Sequence, residues 1–230
     1  DSGPYPYLSP YVLLYTSVMA AGPYRVDNIS IESVTVATNN PFTSAFRGFG
    51  GPQACFAYEQ QMNAIAEKLG MDPAEIRRKN YIPPEQMPFK TSLTFTYDSG
   101  EFEKGMDLAM KLADVAGFNK RKAESKKRGK LRGIDMSNTI ERAAAPSFEG
   151  AEIRFDRGGT VSIFSGSINQ GQGHHTTFTQ IVADKLGIHP DDIEYIQGDT
   201  DKVFFGEGTG GSRSATMSGS AFHLAAEKVI

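Results

Sequence analysis

Three glycine-rich loops, each running directly into a stretch of helical period, constrain this chain more than any other feature. They cover residues 47–53, 166–173 and 206–214. Glycine adopts backbone conformations closed to other residues and lets a main chain approach a partner closely. A helix N-terminus behind such a loop presents unpaired N–H groups and a positive partial charge, which suit an anion. One loop of this kind, taken alone, is usually just a turn. Three in a chain of 230 residues point to an extended ligand with several polar edges and a phosphate. None completes a standard nucleotide motif. Gly48-Phe49-Gly50-Gly51 lacks the dinucleotide spacing, and no Gly-Lys-Ser/Thr follows a strand.

The pattern between the loops is mixed. Residues 26–37 place Val26, Ile29, Ile31, Val34 and Val36 in near alternation, which predicts one or two strands with one wet face. Behind Pro52, the residues Ala54, Tyr58, Met62, Ile65, Ala66 and Leu69 recur at helical spacing, with Gly70 as the stop. Asp72-Pro73-Ala74-Glu75 opens a second short helix to about Lys79. Residues 81–90 hold three prolines and read as a loop, and Phe102 to Ala113 as a third amphipathic helix ending near Gly117. Ile134 to Ile140 reads as a strand, and 151–155 with 160–164 as a hairpin about Asp156-Arg157-Gly158-Gly159. A helix then turns Phe178, Ile181, Val182 and Leu186 inward, followed by a short strand at 193–197 and a helix from Ser212 to Val229. Helices and strands alternate without βαβ regularity. The expected class is α+β, with mixed sheets and packed helices in two subdomains, 1–118 and 133–230, joined by a basic linker at 119–132.

Composition removes several functions. Segment 119–132 carries eight basic residues and one acid, Glu124, in a chain of net charge -3. No aromatic residue is interleaved with those charges, so a solvated linker is expected and no nucleic acid. No apolar run nears the roughly 20 residues of a membrane span, so no membrane partner is expected. The N-terminus does not start with Met and has no basic or apolar leader features, which reads as a chain processed or cut from something longer, in the cytoplasm. The single cysteine, Cys55, excludes a disulfide framework and a Cys-rich metal site, and reads as a small buried apolar residue. His174 and His175 are adjacent and point about 100° apart on a helix, so they are not a chelating pair. Asp199 and Asp201 in Gly-Asp-Thr-Asp read as turn formers rather than an acid–base pair. Arg213 could face a phosphate, although an isolated Arg more often sits in a surface ion pair.

The string Ala45-Phe46-Arg47-Gly48-Phe49-Gly50-Gly51-Pro52-Gln53 resembles the signature of the molybdenum hydroxylases, the xanthine dehydrogenase and aldehyde oxidase family. Downstream, Ala74-Glu75-Ile76-Arg77-Arg78-Lys79-Asn80, then Gly171-Gln172-Gly173 followed by His175, then Gly210-Gly211-Ser212-Arg213-Ser214 resemble further family segments in the family's order. The resemblance spans nearly all of the chain. It implies an internal fragment of a molybdopterin-binding large subunit. Such an enzyme hydroxylates an aldehyde or N-heterocycle with water-derived oxygen and passes electrons to iron–sulfur and FAD partners. The molybdenum is held by the dithiolene of a pyranopterin, in some members the cytosine dinucleotide, so no side-chain metal ligand is implied.

Carried over residue by residue, the resemblance gives Phe46 and Arg47 backbone groups beside the molybdenum and Phe49 a ring against an aromatic substrate. It gives Gln172, with Gly171, hydrogen bonds to the pterin or the ligand oxygens of the cofactor. It makes Gly210, Gly211, Ser212, Arg213 and Ser214 a nest for the pterin and its phosphate tail. The family's glutamate base lies in a Gly-x-Gly-Glu stretch that this sequence lacks. No catalytic residue is therefore assigned, Glu141 in the channel neighbourhood is not taken as the base, and the isolated chain is expected to be inactive. Residues 140–146 lack the aromatic that purine oxidases use as a second stacking wall. Gly198-Asp199-Thr200-Asp201 and the Gly-Ser-Arg-Ser loop resemble bacterial relatives acting on carbon monoxide or N-heterocycles. The implied partners are the rest of the molybdenum subunit, iron–sulfur and FAD subunits and a small-molecule substrate, with self-association of the fragment. The alternative is a non-catalytic module for cofactor binding or assembly.

Overall fold

Asp72 starts the helix that its place before Pro73 predicts: its carboxylate accepts from the N–H groups of Ala74 at 2.7 Å and Glu75 at 3.3 Å. In the computed structural model, which describes residues 1–5, 7–141, 143 and 148–230, this helix lies in the first of two units, Asp1–Glu141 and Arg142–Ile230.

The first unit contains α1 (Ser9–Val18), α2 (Gly51–Leu69), α3 (Pro73–Asn80), a two-stranded antiparallel ladder of β1 (Phe89–Lys90) and β2 (Thr96–Tyr97), α4 (Phe102–Leu112) and α5 (Phe118–Lys127). Gly70 ends α2 in the left-handed conformation, at φ 61°. The apolar faces of α2, α3 and α4 meet over Met62, Ala66, Ala74, Ile76 and Met106, closed by Tyr24 and Tyr81, whose rings stack at 5.4 Å. Inside this core lies a buried ion pair. Arg77 is fully buried and donates from Nη2 to Glu59 Oε2 at 2.8 Å and from Nε to the same oxygen at 3.0 Å. Its remaining donors reach the Pro73 carbonyl at 2.9 Å and Asn63 Oδ1 at 3.0 Å. Tyr24 donates to Glu59 Oε1 at 2.5 Å, and burial followed by this bond pushes the phenol far up, so it stays neutral.

Two expected strands do not form. Residues 26–37 are extended but irregular, and Val34 is 70% exposed. A strand needs a neighbour for its N–H and C=O groups, and among the described residues no strand pairs with this segment. Its partners are single bonds, such as Ser2 N–H to the Val36 carbonyl at 2.9 Å. Residues 134–140 are likewise no strand. Their carbonyls are taken by side chains: Met136 by Arg77 at 3.3 Å and Asn138 by the Tyr58 hydroxyl at 2.9 Å. Helix α1, where no element was expected, is rich in β-branched and hydroxyl residues. Thr16 and Ser17 turn their hydroxyls back onto the carbonyls of Val12 and Leu13 four residues earlier. The basic segment is helical through Lys127 rather than irregular from its start.

The second unit matches expectation closely. β3 (Ala151–Phe155) and β4 (Val161–Ser165) form the antiparallel hairpin, and β5 (Ile193–Gln197) pairs parallel to β4. Helix α6 (His174–Leu186) makes the crossover between those two strands. A π-helical turn at Ser214–Ser218 leads into α7 (Gly219–Glu227). The central strand β4 is nearly all buried, as a strand paired on both edges and covered by helices should be. Ile163, Phe178, Val182 and Phe222 are completely inaccessible and form the core. Helices with small mixed sheets in two units make this an α+β fold.

Removing one member of the buried pair should be far worse than removing both. Arg77→Met should cost about 3 kcal/mol by urea denaturation, because it strands a buried carboxylate. The double variant Arg77→Met/Glu59→Leu should recover most of that loss.

Candidate functional site

In the second unit β4 ends at Ser165 and enters the glycine loop 166–173, while the loop after β5 returns past it. The two main chains cross at Gly166 and Gly206. A Cβ on either residue would lie 2.2 Å from the other's Cα, nearer than any side chain permits. Around this crossing the loops are tied together. Thr209 Oγ1 donates to the Ile168 carbonyl at 2.6 Å, and Ser167 Oγ meets Ser218 Oγ at 2.7 Å. The first loop is shaped by Asn169, whose Oδ1 accepts from Gly171 N–H at 3.2 Å and Gly173 N–H at 3.1 Å. Both glycines have positive φ, 104° and 79°, which the turn requires.

Arg213 fastens the other loop. It is 6% exposed, and its guanidinium donates from Nη1 to Glu207 Oε2 at 2.9 Å and from Nη2 to Glu149 Oε2 at 3.1 Å. Nη2 also donates to the Phe148 carbonyl. The sequence suggested a surface ion pair for an isolated Arg at this position. The pair exists, but Arg213 meets two carboxylates, one buried at Glu149 and one exposed at Glu207. Burial pushes the Glu149 carboxyl up, opposed by the Arg213 charge beside it.

Between the two loops lies a cavity of about 300 Å³, walled by Gln172, His174 and Phe178 on one side and Gly210, Arg213 and Ser214 on the other. Helix α6 opens onto it with Gly173 as an N-cap that carries no side chain, and no acid sits in its first turn. The first-turn N–H groups are therefore left for water or a ligand. His174 is 4% exposed, packs its ring on Phe178 at 5.1 Å and is held neutral by burial, which lowers its pKa. The Ser167 backbone is close enough to oppose that lowering but makes no hydrogen bond of ordinary geometry with the ring. Among the described residues, the buried side-chain polar atoms without a partner are Nδ1 and Nε2 of His174, Nε of Arg213 and Oγ of Ser214. All belong to the walls of this cavity.

Of the residues singled out from sequence, Gln172, Gly210, Ser212, Arg213 and Ser214 thus line one cavity. Gly171 shapes the loop, and Gly211 turns the other loop at φ 58°. Phe46, Arg47 and Phe49 lie in the first unit. There the loop packs on α1: Gly50 sits so close that a Cβ would lie 2.4 Å from the Val12 carbonyl oxygen, and Thr16 Oγ1 donates to the Gly50 carbonyl at 3.1 Å. Phe49 takes a left-handed φ of 40° and sets its ring against Tyr15 at 5.4 Å. Phe46 is 85% exposed and Arg47 is exposed. Glu141 approaches the first turn of α2 beside Gly51. Of the segment 140–146, residues 142 and 144–146 lie outside the described residues.

Sequence reasoning missed His174, Glu149 and Glu207. The signal for His174 was present: it is the first residue of α6, four before Phe178, so the two share the inward face. His175, about 100° away, is exposed, as the adjacent pair requires. Asp199 is the turn former it was read as, with Oδ1 accepting from Asp201 N–H at 3.0 Å. Cys55 is half-buried. Among the described residues no group of three or more His, Cys, Asp or Glu could hold a metal ion, and no helix is long and apolar enough to cross a membrane.

Comparison with known proteins points one way. Residues 108–230 and residues 1–81 each match a family described as a molybdopterin cofactor-binding domain. The carbon monoxide dehydrogenase large chain of Afipia carboxidovorans is 40% identical over 77% of this chain and 24% of its own length. The corresponding large chain of Hydrogenophaga pseudoflava is 34% identical over 92% of this chain and 28% of its own. Among solved structures, quinoline 2-oxidoreductase from Pseudomonas putida 86 superposes with a TM-score of 0.88 at 31% identity, covering 100% of this chain and 31% of that one. The chain therefore spans less than a third of the length of each relative.

The glycine crossing is testable by a single methyl group. Gly166→Ala should destabilise the second unit by about 2 kcal/mol or more, since two backbones must part. Gly210→Ala, where a Cβ meets nothing within 4 Å, should change stability by less than about 0.5 kcal/mol. Thermal unfolding of the two variants measures the difference.

Proposed function

The chain belongs to the molybdopterin cofactor-binding domains of the molybdenum hydroxylases, the xanthine dehydrogenase and aldehyde oxidase family, and on that premise we propose that it forms the cofactor-holding part of a hydroxylase acting on an aldehyde or N-heterocycle. The observation that carries this reading is the cavity in the second unit. Two glycine loops that resemble further family segments wall it, and the residues that carry the unpartnered buried polar atoms, His174, Arg213 and Ser214, are among its lining. Buried polar groups are rarely left unpaired without a reason, because each costs about 1–3 kcal/mol. A polar organic ligand supplies the missing partners, so the residues fit the group.

When bound, the molybdenum cofactor supplies the oxygen transfer and the two-electron chemistry. The chain's residues hold and orient it. Gln172 has its Oε1 engaged by Gln170 N–H at 2.5 Å, which leaves its amide N–H groups free to donate to the cofactor. The uncapped first turn of α6 offers amides to oxygens of the phosphate tail. Gly210 and Gly211 let the main chain come close, and Arg213 holds that loop through Glu149 and Glu207. In the first unit, the Phe46 and Arg47 backbone is proposed to lie beside the molybdenum and the Phe49 ring against the substrate, with Tyr15 and Gly50 fixing the loop's shape. No side chain of the chain is assigned as the base. Electrons are proposed to leave through iron–sulfur and FAD partners, in the cytoplasm.

The test is cofactor content. Expressed in its whole subunit with its partners, the protein should carry molybdenum and pterin, with CMP released by acid if the cofactor is the cytosine dinucleotide. Gln172→Ala, an exposed position, should keep the fold by circular dichroism and lower bound molybdenum about fivefold, the worth of one hydrogen bond. A purified complex free of molybdenum and pterin would overturn the reading.

A further inference from the structure

Residues 28–38 of the first unit have a strand's composition and one unoccupied edge. Six of these eleven residues are β-branched: Ile29, Ile31, Val34, Thr35, Val36 and Thr38. That composition suits a pleated, half-buried surface. One side of the segment is already packed. Ile31 and Ser33 face α1 beside Leu13, Ser17 and Val18, and Ser33 Oγ meets Ser17 Oγ at 2.5 Å. Val34 and Val36 are 70% and 53% exposed. At its end the segment finds main-chain partners. Ser2 N–H donates to the Val36 carbonyl at 2.9 Å, and Thr38 N–H donates to the Gly3 carbonyl at 3.4 Å. Both positions rise together along the chain, so Ser2 and Gly3 run parallel to 36–38. Among the described residues, the main-chain N–H and C=O groups of 28–35 make no hydrogen bond within the chain.

Parallel strands need a crossover, usually a helix. Helix α1 lies between Gly3 and residue 28 in the chain and packs against the segment. Ser2–Gly3, α1 and residues 28–38 are thus the parts of a β–α–β unit. In such a ladder the N–H and C=O groups of alternate residues point to one edge. Val36 and Thr38 spend theirs on Ser2 and Gly3, so Val34, Glu32 and Ser30 present the open stretch of the same edge. We propose that this stretch is the docking surface for a parallel strand of the rest of the molybdenum subunit, collinear with Ser2 and Gly3. This rests on the reading of the chain as part of such a subunit. The chain spans 24%, 28% and 31% of three relatives, so most of a subunit stands ready to supply the strand. A second copy fits less well. A two-fold axis would bring the same edge in antiparallel, against the parallel line that Ser2 and Gly3 set. The pairing has a use at the site. Ser9 Oγ, at the start of α1, donates to the Thr43 carbonyl at 2.6 Å. A completed β–α–β unit would therefore anchor both ends of the stretch that leads to Phe46 and Arg47.

Hydrogen exchange, read by residue-resolved mass spectrometry, compares the 230-residue chain with the whole subunit and its partners. In the chain, the amides of 28–35 should exchange at nearly the rate of an unstructured peptide. In the whole subunit, those of Ser30, Glu32 and Val34 should slow by about 100-fold or more, the protection of a paired strand. Val34→Pro removes one of these donors. It should cut the protection of Ser30 and Glu32 about tenfold in the whole subunit, and leave the chain's own thermal midpoint within about 2 °C. Val34→Thr keeps the donor and the β-branch and should be protected like wild type. The inference falls if 28–35 exchange equally fast in both proteins, or if the amides of Ile31, Ser33 and Thr35 are slowed while those of Ser30, Glu32 and Val34 are not. It falls too if the chain alone gains protection as its concentration rises, which would give the edge to a second copy. Cofactor content separates the two readings. A subunit that carries molybdenum and pterin but leaves the three amides unprotected overturns this inference alone. One that protects them and carries neither overturns the proposed function alone.

Discussion

The crossing of Gly166 over Gly206 is the contact on which the second unit's site depends. Two backbones approach there so closely that a single methyl group on either would sit 2.2 Å from the other. Only glycine at both positions allows this, and the consequences spread outward. The loop leaving β4 is held against the loop returning from β5, so Ser167 can reach Ser218 and Thr209 can reach the Ile168 carbonyl. Those bonds fix the start of α6 and the π-helical turn before α7 on opposite sides of one cavity. Single-turn π segments are frequent at functional sites, and this one carries Ser214, one of the unpartnered polar residues.

Each unit buries one arginine, and the difference between them separates structure from function. Arg77 spends its donors on Glu59, Pro73, Asn63 and Met136, and Glu59 is completed by Tyr24. Nothing is left over, so the network specifies a core and offers nothing to a ligand. Arg213 is charge-balanced by Glu149 and Glu207 but keeps Nε unpaired, next to a histidine and a serine in the same condition. Burial costs the same kind of desolvation in both places. It is the incomplete accounting at Arg213 that the proposed function draws on.

Much of this could be read from the chain beforehand, for local reasons. Gly70 stops α2, Asp72 caps α3, and Asp156 with Gly158 and Gly159 turns the hairpin, because each signal acts on its own neighbours within four residues. The second unit's hairpin, crossover helix and third strand were legible because the periods of 2 and 3.6 change cleanly from one to the next. Residues 26–37 carry a strand's alternation without a strand's neighbour, and pairing is a property of two segments that one segment cannot reveal. Helix α1 was hidden by residues that favour strands. At the site, the glycine loops were visible but the clasp was not. Glu149 lies 64 residues from Arg213, and no spacing rule joins them.

The scarcity of metal-binding side chains is consistent with a cofactor that brings its own ligands. Among the described residues no group of three or more His, Cys, Asp or Glu could hold a metal ion. What the protein must then supply is shape: amides at fixed positions, a dry pocket and a few oriented donors and acceptors. Shape of that kind is written in glycine spacing and in which polar atoms are left unpaired, rather than in reactive residue types. A search for nucleophiles, acid–base pairs or chelating histidines would pass over this chain. On the proposed reading, the positions that shape the site are those where a side chain is forbidden, at Gly166 and Gly206, and those where a buried one has no partner, at His174, Arg213 and Ser214.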